Sequence, residues 1–202
     1  MIPIAASGIV LAGGAARRFG GDKLAATFEG RNLLEHAVGA VADLVSEVIV
    51  VVAPGDDRSL PAAPVPVRAA VDPELHGGPL VGLVAGLEQA REPIALVVGG
   101  DMPTLEPRVL AALLRALVEA RESSAVDATT LIQRGTLRPL PAAVRNGAAT
   151  EAGRRLLGSG ERSLVALFRA LRTRTLDEVE WRGLDPTAAT LRDIDRPADL
   201  ER

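Results

Sequence analysis

Short hydrophobic runs rich in β-branched residues alternate along this chain with longer segments whose apolar residues recur at helical spacing. This alternation predicts βα units around a mainly parallel sheet, and therefore an α/β fold. With 202 residues, 48% of them hydrophobic, the chain is long enough to bury a core, so we predict one domain over residues 1–202. Strands are expected over residues 7–11, 47–52, 67–71 and 94–98, and helices over residues 33–44, 79–90 and 106–120.

The pattern is weaker in one proline-rich segment and in the second half of the chain. Residues 53–66 contain four prolines and predict a surface loop, because such a segment cannot form a regular element. Beyond the helix at 106–120, the candidate strands are residues 126–133, 140–144 and 173–180, and the candidate helices are residues 148–157 and 163–171.

Composition and charge argue against several classes of protein. A net charge of −3, with one Trp, three Phe and no Tyr, gives neither a blanket affinity for nucleic acid nor a base-stacking platform. The absence of cysteine excludes disulfides and thiolate metal sites, and it fits a reducing, cytoplasmic location. The apolar start lacks a basic leader, and no later apolar stretch is long enough to span a membrane, so we expect no membrane partner.

A glycine-rich turn with basic neighbours follows the first predicted strand. Gly13 and Gly14 allow a close approach of the backbone to phosphate, and Arg17, Arg18 and Lys23 supply positive charge. Lys23 is the only lysine, since the other 22 of the 23 basic side chains are arginines. The turn matches neither a Walker A loop nor a dinucleotide-binding fingerprint, which disfavours a kinase or a dehydrogenase. A plain turn with a lysine placed by chance is the alternative.

Aspartates follow two other predicted strands. In open α/β sheets ligands bind beyond the carboxyl ends of the strands, where Asp72 and Asp101 are placed. Asp101 ends an aliphatic strand, where a carboxylate is costly unless it is paired, hydrogen-bonded or bound to a metal such as Mg²⁺. The alternatives are a helix cap or a turn for Asp101, and a turn before Pro73 for Asp72.

Two further aspartates lie near the end of the chain. Alternation puts Asp193 and Asp195 on one side of an extended segment, where both would face a cation. Alternatively, Asp195 caps a terminal helix that begins at Pro197. Neither histidine, His36 or His76, is paired with a nucleophile, and no serine occupies a nucleophile elbow, so covalent catalysis is disfavoured.

Five groups of residues occur in a fixed order over nearly the whole chain: Leu11-Ala-Gly-Gly14, Arg18-Phe-Gly-Gly-Asp-Lys-Leu24, Asp72 with Gly78-Pro-Leu-Val-Gly82, Gly100-Asp-Met-Pro-Thr104, and Asp193-Ile-Asp-Arg-Pro-Ala-Asp-Leu200. In combination and order they resemble the molybdenum cofactor guanylyltransferase (MobA-like) family of nucleotidyltransferases. Residues 134–145 and 158–164 are similar to the family's substrate-side half.

The resemblance implies a Rossmann-like three-layer α/β/α fold with a mainly parallel sheet, in which residues 1–105 bind the nucleotide and residues 106–202 bind the acceptor. It also implies GTP and Mg²⁺ as reactants, and transfer of GMP to the terminal phosphate of a molybdopterin-type acceptor with release of pyrophosphate. The implied nucleotide contacts are Leu11, Ala12, Gly13, Gly14, Lys23, Asp72 and Asp101. The implied catalytic residues are Lys23, Asp101 and Arg18, and the implied metal ligands are Asp101 and Asp195.

The chain departs from the family pattern at two positions. Asp195 stands where the family usually has an asparagine, which keeps an oxygen ligand but adds negative charge. After the second strand the family commonly has another asparagine, whereas this chain has Val52-Ala53-Pro54-Gly55. A cytidylyltransferase, a guanylyltransferase for phospholactate, a sugar-phosphate nucleotidyltransferase and a non-catalytic relative therefore remain alternatives. The oligomeric state is open between a monomer and a weak homo-oligomer.

Overall fold

A seven-stranded mixed sheet runs through the protein, in a computed structural model that describes residues 4–13, 22–75, 77–120 and 126–200. A separate two-stranded hairpin lies outside this sheet. In chain order the strands are β1 (Ser7–Leu11), β2 (Thr27–Phe28), β3 (Arg31–Asn32), β4 (Glu47–Val52), β5 (Val67–Val71), β6 (Ile94–Gly99), β7 (Ala128–Gln133), β8 (Thr136–Arg145) and β9 (Thr173–Leu176).

Six α-helices are found in the described residues: α1 (Leu33–Ala42), α2 (Pro79–Gln89), α3 (Pro107–Glu119), α4 (Asn146–Gly158), α5 (Leu164–Ala170) and α6 (Glu178–Arg182). Three short 3-10 helices cover Lys23–Ala25, Ala189–Leu191 and Pro197–Asp199. None of the helices in the described ranges is both long enough and apolar enough to cross a membrane.

The order of strands in the large sheet is β5-β4-β1-β6-β8-β7-β9. Every neighbouring pair is parallel except the two pairs that contain β8, which runs against both of its neighbours. The aliphatic strands β4 and β6 are buried along their whole length, because helices cover a parallel sheet on both faces. The predicted α/β class with a mainly parallel sheet is confirmed.

Alternate residues of each central strand enter different hydrophobic cores. Val10 of β1 packs in the core formed with α1 and α3, whereas Ile9 packs in the core formed with α2, α4 and α5. Strand side chains point alternately to the two faces of a sheet, so an uninterrupted aliphatic run supplies both cores. The result is the predicted arrangement of a sheet between two layers of helices.

Helix α2 lies close against the sheet because it presents a glycine to it. A Cβ at Gly86 would lie 2.8 Å from Val51 Cγ2 and 2.9 Å from Ile9 Cγ2, so a larger residue would displace the helix. On its other side, a Cβ at Gly153 of α4 would lie 2.5 Å from Val84 Cγ2. These contacts hold α2 close to the sheet on one side and to α4 on the other.

The segment at 173–180, which the sequence predicts to be one strand, is a strand followed by a helix. Strand β9 ends at Leu176, and Asp177 caps α6 by accepting hydrogen bonds from the backbone N–H groups of Val179 and Glu180. This capping box ends the extended conformation, so the prediction is wrong over residues 177–180. The β2–β3 hairpin and the 3-10 helices at Lys23–Ala25 and Ala189–Leu191 are further elements that the sequence pattern does not predict, whereas the terminal helix considered at Pro197 is present as a 3-10 helix.

Candidate active site

The carboxyl ends of β1, β4, β5 and β6 lie at the same edge of the sheet, and backbone hydrogen bonds continue past the strands. Ala12 N donates to Val51 O at 2.8 Å, and Asp72 N donates to Val52 O at 2.8 Å. Gly100 N donates to Leu11 O at 2.9 Å. The residues directly after four strands are therefore held side by side.

Lys23 joins two of the predicted site residues at this edge. Its Nζ donates to Asp101 Oδ2 at 2.7 Å and to Asp195 Oδ1 at 3.0 Å, although Asp195 is 172 positions away in the chain. Only 13% of the Lys23 side chain is exposed. Burial alone would lower the pKa of Lys23, but the ion pairs with the two carboxylates outweigh burial and raise it, so the ammonium is charged at neutral pH.

Lys23 is positioned by the short 3-10 helix in which it lies. Asp22 caps this helix by accepting a hydrogen bond from Leu24 N at 3.1 Å. Arg58, from the proline-rich loop, contacts Asp22 at 3.4 Å and donates to Asp56 Oδ2 through Nε at 2.8 Å. The loop at 53–66, which is irregular as predicted, therefore supports the turn that presents the lysine.

The segment that carries Asp193 and Asp195 is tied directly to β6. Ile194 N donates to Asp101 O at 3.0 Å, and the Ile194 side chain is fully buried. The aspartates on either side of it are exposed. Partial burial of Asp193, together with the charges of Asp101 and Asp195, raises the pKa of the Asp193 carboxyl to about 6.

Asp72 lies at a cleft of about 470 Å³ on the other side of β1. Its Oδ1 accepts a hydrogen bond from Glu74 N at 2.9 Å, so the turn-forming role considered as an alternative is real. Burial and the charge of Glu74 raise the pKa of Asp72. A Cβ at Gly82 would lie 3.2 Å from Asp72 Oδ2, so a larger residue there would crowd this carboxylate. The cleft is also lined by Leu11, Gly13, Val51, Ala53, Leu75 and Gly78.

The capping alternatives for two of the aspartates are wrong. The N-cap of α3 is Glu106 rather than Asp101, and the N-cap of the last 3-10 helix is Arg196 rather than Asp195. His36 has a structural role, since its Nε2 lies 2.7 Å from Phe28 O and its ring packs against the Phe28 ring. Gly14, Arg17, Arg18 and His76 lie outside the described residues.

The carboxylates at Lys23 suit a small divalent cation. Asp101 and Asp195 converge on a single cationic atom, the Lys23 ammonium, at 2.7 Å and 3.0 Å. In the described parts of the chain, no group of three or more His, Cys, Asp and Glu side chains is arranged to hold a metal. Mg²⁺ is typically bound by one or two carboxylates together with substrate phosphates and water, so a site of two carboxylates fits it.

Two arginines near the site are not among the residues that the sequence singled out. Arg58 supports Asp22 from a loop that shows no recognisable motif. Arg138 Nη2 lies 3.8 Å from Asp193 Oδ2, and it comes from residues 134–145, the segment whose similarity to the family's substrate side was the one available signal. A contact between distant segments of this kind has no signature in sequence spacing.

Comparison with known proteins gives a consistent result. The model of the MobA-like NTP transferase domain matches residues 8–177. A probable molybdenum cofactor guanylyltransferase of Chloroflexus aggregans is 36% identical over 198 residues, covering 96% of this chain and 91% of that protein. A protein with the same description from Mycobacterium tuberculosis is 35% identical over 175 residues, covering 84% and 81%.

The fold is also similar to a solved one. The crystal structure of molybdopterin-guanine dinucleotide biosynthesis protein A from Archaeoglobus fulgidus matches with a TM-score of 0.73 and 21% identity, covering 97% of this chain and 95% of that one. The Rossmann-like fold class, the transferase class and the family resemblance predicted from the sequence are confirmed. Because the family model and relatives at 36% and 35% identity cover most of its length, the chain belongs to the MobA-like NTP transferase family.

Proposed function

We propose that this protein transfers GMP from GTP to a molybdopterin-type molybdenum cofactor, releases pyrophosphate and uses Mg²⁺. The observation that carries the proposal is the buried Lys23 bridge between Asp101 and Asp195 at the carboxyl edge of the sheet. The choice of GMP and of the acceptor is supported by relatives named molybdenum cofactor guanylyltransferase.

The nucleotide would lie across the end of β1. The cleft beside Asp72 accommodates the nucleoside, and the backbone of Leu11, Ala12 and Gly13 leads from it toward Lys23. Gly14 and Arg18 would extend this phosphate-binding surface, a role proposed from their motif. Phosphates bound in this way would lie between the cleft and the pair formed by Asp101 and Asp195. The α-phosphorus would then lie at the boundary between the proposed nucleotide-binding and acceptor-binding halves of the chain.

Asp101 and Asp195 are the residues that would hold Mg²⁺. When bound, this ion neutralises phosphate charge and acts as a Lewis acid in the transition state. In the structure Lys23 holds one oxygen of each carboxylate, and in the proposed reaction its ammonium gives way to the metal ion. The lysine has a flexible four-carbon stem, and in the proposed complex its ammonium donates hydrogen bonds to the oxygens of the departing pyrophosphate.

The reaction requires the protein to align the two reactants and to balance the charge of their phosphates. It does not require a covalent intermediate with the protein. An oxygen of the acceptor's phosphate forms a bond to the α-phosphorus of GTP, the bond from that phosphorus to the bridging oxygen breaks, and pyrophosphate leaves with the electron pair. The attacking phosphate is already ionised at pH 7, so no general base is needed. Positioning of the reactants and electrostatic stabilisation together supply most of the rate acceleration in reactions of this type.

We also propose a cytoplasmic location and small-molecule substrates only. The cysteine-free composition and the net charge of −3 support these two proposals. The division of the chain into a nucleotide-binding half, residues 1–105, and an acceptor-binding half, residues 106–202, stays a prediction.

Purified protein tests the function directly. It is incubated with Mg²⁺, a molybdopterin-type acceptor and each of GTP, CTP, ATP and UTP, and the release of pyrophosphate is followed. We expect release with GTP that depends on the acceptor. Release with CTP but not with GTP would contradict the guanylyl assignment. No release with any nucleotide would reject this acceptor and direct the test to phospholactate and sugar phosphates.

A further inference from the structure

The guanidinium group of Arg138, in β8, forms no hydrogen bond within the described residues. Its Nε is completely buried and has no hydrogen-bond partner within the described residues. Its Nη2 lies 3.8 Å from Asp193 Oδ2, which is too long for a hydrogen bond. Because a buried donor without a partner costs free energy, an arginine in this condition needs an explanation.

Arg145, the last residue of β8, has a structural role and serves as a comparison for Arg138. Arg145 donates from Nε to Val126 O at 2.8 Å and from Nη2 to Leu117 O at 3.0 Å. These bonds tie β8 to the segments that precede it. Arg138 makes no comparable bond within the part of the chain that the structure describes, so packing and chain connection do not account for its charge.

Arg138 lies next to the Lys23 site. Arg138 Nη2 approaches Asp193, and the next residue, Ile194, donates from its backbone N to Asp101 O at 3.0 Å. Asp193 interacts electrostatically with Arg138 on one side and with Lys23 and Asp101 on the other. The side chain of Arg138 is 35% exposed, so a ligand can reach it.

Pairing with Asp193 is an insufficient reason for Arg138. The two side chains are 35% and 42% exposed, and they form an ion pair without a hydrogen bond. Ion pairs of this kind contribute little to stability because water screens them. A guanidinium has five N–H donors in a planar fork that matches the oxygens of a phosphate, and such a pair is both strong and directional.

We propose that Arg138 binds the phosphate group of the acceptor and holds it beside Asp101 for attack on the nucleotide. The ligand is a phosphate monoester, and its oxygens would accept hydrogen bonds from the N–H groups of the guanidinium other than the buried Nε. This inference rests on the proposed function, since it names the residue that holds one of the two substrates. Arg138 binds substrate and takes no part in proton or bond transfer.

Kinetic comparison of two variants with a matched control tests the proposal. Arg138→Gln removes the charge, Arg138→Lys keeps the charge but loses the planar fork, and Arg134→Gln removes an exposed arginine from the turn of the same hairpin. We expect Arg138→Gln to raise the KM for the acceptor about tenfold or more, with the KM for GTP within about twofold of wild type. The KM for the acceptor should be intermediate in Arg138→Lys, between the values of the wild type and Arg138→Gln. Arg134→Gln should have the wild-type KM.

Two results would overturn the proposal. One is an unchanged KM for the acceptor in Arg138→Gln, and the other is an equal rise in both KM values, which would indicate a general disturbance of the site. Thermal melting is measured for each variant. If Arg138→Gln does not fold, Arg138→Lys decides alone, and an unchanged KM for the acceptor in that variant overturns the proposal.

A binding measurement separates failure of this inference from failure of the proposed function. The protein is saturated with Mg²⁺ and guanosine 5′-(α,β-methylene)triphosphate, which cannot release pyrophosphate, and inorganic phosphate is titrated calorimetrically. Weaker phosphate binding in Arg138→Gln than in wild type and Arg134→Gln supports the site, even if the molybdopterin acceptor proves inactive. Equal binding in all three proteins, or no binding in the wild type, overturns it.

Discussion

Carboxylates at the amino edge and at the carboxyl edge of the sheet have different surroundings, and their pKa values shift in opposite directions. At the amino edge, buried Glu47 accepts hydrogen bonds from Ser7 Oγ at 2.7 Å, Arg91 N at 2.8 Å and Arg68 Nη2 at 3.1 Å. Burial opposes ionisation of Glu47, but these partners outweigh it and lower its pKa. At the carboxyl edge, Asp101 and Asp195 form ion pairs with Lys23, and the pKa of the neighbouring Asp193 is raised.

This difference separates structural charges from charges available to a ligand. The partners of Glu47 come from the first residue of β1, from β5 and from the segment before β6, so the carboxylate joins elements that must stay in place. At the carboxyl edge, by contrast, three carboxylates lie near the ammonium group of Lys23. Such an arrangement suits an edge that binds a cation and phosphates.

The largest effect is expected from Asp101→Ala. We expect it to lower Mg²⁺-dependent release of pyrophosphate by about 10²- to 10³-fold, because it removes a ligand that stabilises charge in the transition state. Steady-state kinetics with varied Mg²⁺ is the measurement. The matched control is Asp195→Asn, which keeps an oxygen ligand and should retain most of the activity. A near-normal rate for Asp101→Ala would remove this residue from the proposed metal site.

At the amino edge of the sheet, Glu47→Ala should lower stability and leave the activity of the folded protein unchanged. It leaves Arg68 and the Ser7 hydroxyl without their buried partner, so we expect a loss of about 3 kcal/mol in the free energy of unfolding. The folded fraction should keep wild-type kinetics. Urea denaturation and activity assays on the same preparation check both statements. A large fall in kcat without destabilisation would contradict the structural role of Glu47.

Lys23→Met should reduce kcat by about 10²-fold, since the ammonium would no longer balance the charge of the leaving pyrophosphate. It also leaves Asp101 and Asp195 facing each other without a cation, so the apparent affinity for Mg²⁺ should rise. Metal titration and turnover are measured together. Weaker Mg²⁺ binding in Lys23→Met would contradict the proposed exchange of the ammonium for the metal ion.

The smallest effect concerns Asp193 and pH. Its folded-state pKa of about 6 lies above the usual value near 4, so the folded state holds the proton more tightly and stability falls as the pH rises between these values. Asp193→Asn should therefore stabilise the protein at pH 7 by about 1 kcal/mol, a figure reduced for solvent screening, and have little effect at pH 4. Equal effects on the free energy of unfolding at both pH values would contradict this assignment.

Local patterns in the sequence were sufficient to predict much of the fold. The aliphatic runs at β4 and β6 predict buried parallel strands, and the polar residues that follow β1, β5 and β6 predict a site at one edge. The alternation of Asp193, Ile194 and Asp195 also correctly separates the buried residue from the exposed ones. Local periodicity fails at Asp177, where a capping box turns the predicted strand into α6.

The sequence by itself determined the layered α/β architecture, the family and the set of residue types placed after the strands, because strand periodicity and motif order are local properties. Only the tertiary structure decided which charges meet. Lys23 contacts carboxylates 78 and 172 positions away, and Arg138 of β8 approaches Asp193, which is distant from it in sequence. These contacts depend on strand order and register, which set the distances between charges and therefore their pKa values and availability to a ligand.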